Sequence, residues 1–187
     1  EIAEPAINYT YEIRNILRDS DIYKLFPISF VYGTFPTYLF TAATMAFSKF
    51  NNIFGIAFDK TALYIFMRSL NAVISLLLIW ATALLSYKLT KKQVVYFAVL
   101  LLGALNWKLI IHAHYLNADL IQTVLLSLSY LALYQYFKNG PDNKFSVFTG
   151  ILFGLAVGTK ITTLLALPLF FYVFGQKKDY MGIIGFS

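Results

Sequence analysis

Apolar residues in this chain come in long blocks, not at the three- and four-residue spacing of a helix with one watered face. The blocks run over 62–87, 94–111, 120–137, 145–159 and 161–174. A bilayer core asks for about 20 apolar residues in helical form, so the first three read as clear spans and the last two as shorter apolar segments that complete a count of about five. Polar punctuation marks their ends: Lys88, Lys91 and Lys92, then Trp107, Lys108, His112 and His114, then Lys138-Asn139-Gly140-Pro141, then Lys160, then Lys177 and Lys178. Residues 1–26 differ. Ile2, Ala6, Tyr9, Ile13, Ile16 and Leu17 share one helical face there, while Asn8, Glu12, Asn15 and Asp19 lie elsewhere, which predicts an amphipathic helix in the membrane interface. In 27–58, Pro27, Gly33 and Pro36 break the start, an apolar run covers 35–47, and Asn51, Asn52 and Gly55 interrupt the chain before a second short apolar piece. The run at 35–47 is short for a span and predicts helices lying on the membrane surface.

Composition agrees with the pattern. Hydrophobic residues make up 59% and charged residues 13% of the chain, with a mean hydropathy of +0.66. Soluble domains carry about 25% charged residues. The expectation is therefore an all-α, polytopic transmembrane bundle of about five spans over 61–187, preceded by an extracytoplasmic loop and juxtamembrane helices over 1–60. The net charge of +6 reads as basic cytoplasmic loops and not as a nucleic-acid footprint. No phosphate-binding loop, dinucleotide fingerprint, nucleophile elbow or nucleic-acid motif occurs. The absence of cysteine excludes disulfides and thiolate metal sites. The chain opens Glu1-Ile2-Ala3-Glu4-Pro5 and closes within an apolar stretch, so it reads as part of a longer protein.

The basic clusters fix a sidedness. Those at 88–92, 138–144 and 177–178 are each separated by two apolar segments, so all three fall on one side, which the positive-inside rule makes cytoplasmic. The loop near 112–119 and the turn at Lys160 are then external, and the acidic N-terminal region joins them if 35–47 does not cross.

Ionisable groups at membrane depth are costly, which makes Arg68, Lys108, Asp119 and Lys160 the functional candidates. Asp119 opens an apolar block. A carboxylate there suits the positive end of a helix dipole, with Asn117 as cap, and it equally suits a polar substrate. Lys160 follows Gly150, Gly154 and Gly158, whose four-residue spacing predicts a flat packing face. The lysine itself either snorkels to headgroups or holds a phosphate. Arg68 is an interfacial anchor or a partner for an external acid. His112 and His114 are two apart, which fits neither one helical face nor a zinc pair, so no metal is expected. Asn8-Tyr9-Thr10 matches a glycosylation acceptor.

The order of these features resembles the GT-C superfamily of membrane glycosyltransferases, in particular the protein mannosyltransferase and aminoarabinose transferase-like branch. The resemblance is carried by Tyr32-Gly33 within 27–39, by Arg68 opening a span, by the external turn ending Asn117-Ala118-Asp119, and by the glycine-rich run 150–160 closed by Lys160. It implies a partial GT-C module in a multi-pass protein of a bacterial or archaeal plasma membrane, or of the endoplasmic reticulum. It also implies a polyprenyl- or dolichyl-phosphate sugar donor, transfer on the extracytoplasmic face, and no cofactor. In that family an Asp-Glu pair opens the first external loop and its Asp is the catalytic base. This chain has no such pair. Glu1 stands where its Glu would be if the Asp precedes it, and Glu4 is the other acid nearby. Asp119, Lys160, Arg68, His114 and Tyr32 are then the expected substrate-binding residues, alongside membrane lipid and other membrane proteins as partners. The rival readings are a transporter or lipid flippase, and a non-catalytic membrane subunit.

Overall fold

A computed structural model describes residues 35–53, 60–114, 118–139 and 143–176. The amphipathic segment 1–26, Tyr32 and the candidate acids Glu1 and Glu4 lie outside the described residues, as does Asn117. Among the described residues there is helix and no strand: α1 (Phe35–Ile53), α2 (Lys60–Thr90), α3 (Gln93–Ala104), α4 (Trp107–His114), α5 (Ala118–Asn139), α6 (Asn143–Thr159), a 3₁₀ turn (Ile161–Ala166) and α7 (Leu167–Gln176).

Two helices, Thr61–Thr90 and Ala118–Asn139, are long and apolar enough to cross a membrane. A third crossing arises if α3 and α4, bent by 56° at their junction, count as one span. The apolar helices over Lys144–Thr159 and Ile161–Gln176 are shorter. At 1.5 Å per residue, sixteen residues reach about 24 Å, less than the about 30 Å of a hydrocarbon core. The run at 35–47 extends into one continuous helix, α1, of 19 residues, which is not among the helices apolar enough to cross.

Each boundary has a local cause. α2 runs 31 residues without a proline and stops at Lys91, whose φ of 59° is left-handed. There the Lys91 N–H donates to Tyr87 O at 2.7 Å, which closes the last turn. α3 ends beside Asn106, whose Oδ1 accepts the backbone N–H groups of Lys108 (3.0 Å) and Leu109 (3.2 Å) and so starts α4 in a new direction. α5 has Asp119 in its first turn and Lys138 in its last, each matched to the dipole end it occupies. Lys160 is extended and interrupts the helix before the 3₁₀ turn, and Pro168 enters α7 in its first turn, where a missing N–H costs nothing.

α2 and α5 run side by side in the same direction. Leu63 and Met67 pack with Ile121 and with Phe40 of α1, Leu78 packs with Leu120 and Val124, and the Tyr134 hydroxyl donates to Lys88 O at 2.7 Å. α6 returns along α5, with Ser129 donating to Thr149 O at 3.2 Å midway. α7 then descends beside α5, its Phe170 stacked on Tyr130 and its Phe174 tilted against Tyr136.

Small polar side chains share the apolar interior of this bundle, while large apolar side chains cover its outside. Thr41, Thr44, Ser48, Asn71, Ser75, Ser129, Ser146, Thr149, Thr159 and Thr163 are buried, while Ile65, Val73, Leu76, Trp80, Val94, Phe97, Leu101 and Leu102 face outward. Hydroxyls of Thr41, Thr44 and Ser75 donate back to carbonyls one turn earlier, so they bury small polar groups without loss. Leucine-covered exteriors are unfavourable in water and neutral in lipid.

The glycine-rich face behaves differently from its spacing. Gly154 has nothing within 4 Å of where a Cβ would stand, and Gly158 meets only Phe35 Cβ at 3.9 Å. The buried face of α6 is instead formed by Ser146, Thr149, Leu152, Phe153, Ala156 and Thr159, because bulky and hydroxylated residues fill the gap to α5. The close glycine contact lies elsewhere, where Gly103 sits against Ile79 of α2.

Candidate functional site

The ionisable side chains separate to the two ends of the bundle. Arg68 and Lys88 are twenty residues apart on α2, or about 30 Å along the axis, and Asp119 and Lys138 are nearly as far apart on α5. That separation matches the thickness of one hydrocarbon core.

At the end holding Asp119, two polar clasps form. In the first, Lys160 Nζ donates to Asp119 Oδ1 at 2.7 Å. The lysine arrives there because its extended backbone breaks the helix between α6 and the 3₁₀ turn. The aspartate is held by the first turn of α5. The side chains are 26% and 45% exposed respectively, so the pair is screened on one side only. Next to it, Gln122 Nε2, one turn along α5, donates to Thr163 Oγ1 (2.8 Å) and Thr162 Oγ1 (3.3 Å). The Thr163 hydroxyl in turn donates to Ala156 O at 3.1 Å. The break after α6 is thus sewn to α5 by a charged pair and an amide.

In the second clasp, α2 supplies donors to the end of α4. Arg68 Nε donates to His114 O at 3.0 Å, and Arg68 lies 5.0 Å over the Tyr64 ring. Asn71 Nδ2, fully buried, donates to His112 O at 2.8 Å and to Ala113 O at 3.3 Å. The last carbonyls of a helix have no partner within it, so these donors complete α4 in a setting where water is scarce. His114 and Asp119 are only five positions apart in the chain, so the two clasps lie within about 18 Å of one another.

The sequence candidates therefore divide. Asp119 and Lys160 meet directly. Arg68 donates to the end of α4, and its described contacts include no acid. His114 turns its Nδ1 to Ile110 O at 2.7 Å within its own helix, and Lys108 is exposed. No group of three His, Asp or Glu side chains gathers among the described residues. Sequence reasoning does not single out Asn71, Gln122, Thr162 or Thr163. Asn71 and Gln122 carry a usable signal all the same, since each is an amide inside an apolar block, where such a group needs a partner.

The described residues thus form a helical protein in which two or three helices are long and apolar enough to span a membrane, with a polar cradle at one end of the bundle and lysines at the other. Comparison with known families, with characterised proteins and with solved structures finds no match.

Proposed function

We propose that this chain is the membrane region of a glycosyltransferase that moves a sugar from a polyprenyl- or dolichyl-phosphate donor to an acceptor on the extracytoplasmic face. The supporting observation is the Lys160–Asp119 pair, set at the bundle end remote from Lys88, Lys91, Lys92 and Lys138. A phosphate leaving group needs a cation where charge develops, and an ammonium such as that of Lys160 has three donors to share between a carboxylate and a phosphate. Asp119 holds that ammonium in place and turns toward sugar hydroxyls when the phosphate takes over. Gln122, Thr162 and Thr163 give further polar contacts for a sugar. A donor tail fits the leucine-covered exterior while its head reaches this end. The acid that activates the acceptor falls to the segment before α1, where Glu1 and Glu4 are the candidates.

The test is sugar transfer from labelled polyprenyl-phosphate donors in membranes carrying the full-length protein. Asp119→Asn and Lys160→Ala are expected to lower transfer by at least the about 100-fold typical of losing one transition-state donor. Full activity in both variants would remove the site. No transfer from any donor by folded protein would favour the reading as a flippase or a non-catalytic subunit.

A further inference from the structure

The lysine end carries a feature that neither the clasps nor sugar transfer uses. Lys88 and Lys91 stand at the end of α2, Lys92 at the start of α3, Lys138 at the end of α5 and Lys144 at the start of α6. Side-chain contacts tie the first of these ends to α5. Tyr134 of α5 donates its hydroxyl proton to Lys88 O at 2.7 Å and accepts from Lys91 Nζ at 3.2 Å. The Lys91 ammonium also lies 5.6 Å from the Tyr134 ring centroid. One tyrosine thereby ties the end of α2 to α5 and positions a lysine over the junction. Lys138 is one turn beyond Tyr134 on the same face of α5. Asp142 is the single acid in the intervening sequence and lies outside the described residues.

Lys91 occupies a backbone conformation that glycine would take more cheaply, with φ at 59°. A strained residue at a helix stop, bearing an exposed ammonium with donors to spare, marks a place where the side chain matters more than the turn. The positive end of the α3 dipole opens at the same point, with Lys92 as its cap and no side chain closing it. Beyond Lys144 on the same face of α6, Val147, Phe148 and Ile151 form an exposed apolar strip. A cation above an exposed apolar helix face suits a molecule with an anionic head and a hydrocarbon tail.

We propose that the Lys88–Lys91–Lys92 corner, with Lys138 and Lys144 beside it, is a binding site for the headgroup phosphate of an anionic phospholipid, whose acyl chain lies along α6. Its place about 30 Å from Arg68 along α2 sets it at the level of headgroups, not in bulk solvent. The site is independent of sugar transfer at the opposite end.

The full-length protein in mild detergent would be titrated with phosphatidylglycerol, phosphatidylcholine or inorganic phosphate. Retained lipid would be counted by native mass spectrometry, and the unfolding midpoint followed alongside. Phosphatidylglycerol is expected to be retained and to raise the midpoint, and phosphatidylcholine is not. Each of Lys88→Gln and Lys92→Gln is expected to weaken phosphatidylglycerol about fivefold, the worth of one lysine near an anionic surface. Lys91→Gly separates binding from folding: glycine adopts the left-handed turn freely, so the lipid-free midpoint holds or rises while lipid affinity falls. Equal retention of both lipids, or an unchanged preference in the variant carrying both Lys88→Gln and Lys92→Gln, overturns the proposal. Complete displacement of lipid by inorganic phosphate assigns the corner to a free anion and also overturns it.

Discussion

The Asp119–Lys160 pair can be tested as a structural element separately from any chemistry. Its worth depends on its setting. Fully exposed ion pairs contribute about 0–1 kcal/mol, and breaking a fully buried one costs about 3–5 kcal/mol. With a 2.7 Å contact and side chains 26% and 45% exposed, this pair lies between, and discounting for solvent gives a coupling of about 1–2 kcal/mol. Each partner has a fallback that keeps the figure down. Asp119 retains the dipole of α5, and Lys160 can carry its ammonium to the interface on its long stem. The assay is a double-mutant cycle of Asp119→Asn and Lys160→Met, with unfolding in mild detergent driven by added denaturing detergent. Either single substitution is expected to shift the unfolding equilibrium by about 5–30-fold, at about 1.4 kcal/mol per tenfold. The double substitution is expected to fall short of the sum by the coupling energy. Losses additive to within about 0.3 kcal/mol would mean that the two groups do not support one another, and would refute the clasp.

Two further substitutions probe the packing. Gly103→Ala sets a Cβ 2.9 Å from Ile79 Cγ2; overpacking of about 1–3 kcal/mol outweighs a helix-propensity gain of about 1 kcal/mol, so a lower unfolding midpoint is expected, recovered by Ile79→Ala. Thr149 Oγ1 is buried without a hydrogen-bond partner, so Thr149→Val, which keeps the shape and the carbonyl that Ser129 uses, is expected to stabilise by about 1 kcal/mol; destabilisation in the same unfolding assay would show that the hydroxyl is in use.

Much of the helix layout is legible in the sequence because its ends carry strong signals. The apolar blocks 62–87 and 120–137 sit inside α2 and α5 to within three residues at each end, since lysines, prolines and asparagines bound them. The break inside 94–111 is hidden because hydropathy runs on through Leu105. The sequence Gly103-Ala104-Leu105-Asn106 holds the cue, a glycine near a helix end followed by a capping asparagine. The glycine spacing in 150–158 misleads for the opposite reason: period alone does not say which face a helix turns to its neighbours. At the site, parity places Asp119 and Lys160 on one side, and the structure brings them into contact. The roles of Arg68 and Asn71 are not legible, because their partners are backbone carbonyls, which every residue possesses and no residue type announces.

The way α2 completes α4 has a consequence for how the chain is made. Arg68 and Asn71 precede the carbonyls they serve by 46 and 41 residues. During synthesis α2 therefore enters the bilayer first, carrying an arginine and an amide with nothing yet to hold. The bent pair α3–α4 emerges later with three bare carbonyls at its tip. The insertion machinery has to keep the early helix close at hand until the second arrives, because neither is settled in lipid alone. Arg68→Leu with Asn71→Leu, which leaves those carbonyls without their donors, should leave nascent chains stalled with the insertase, although every helix would still be apolar enough to enter.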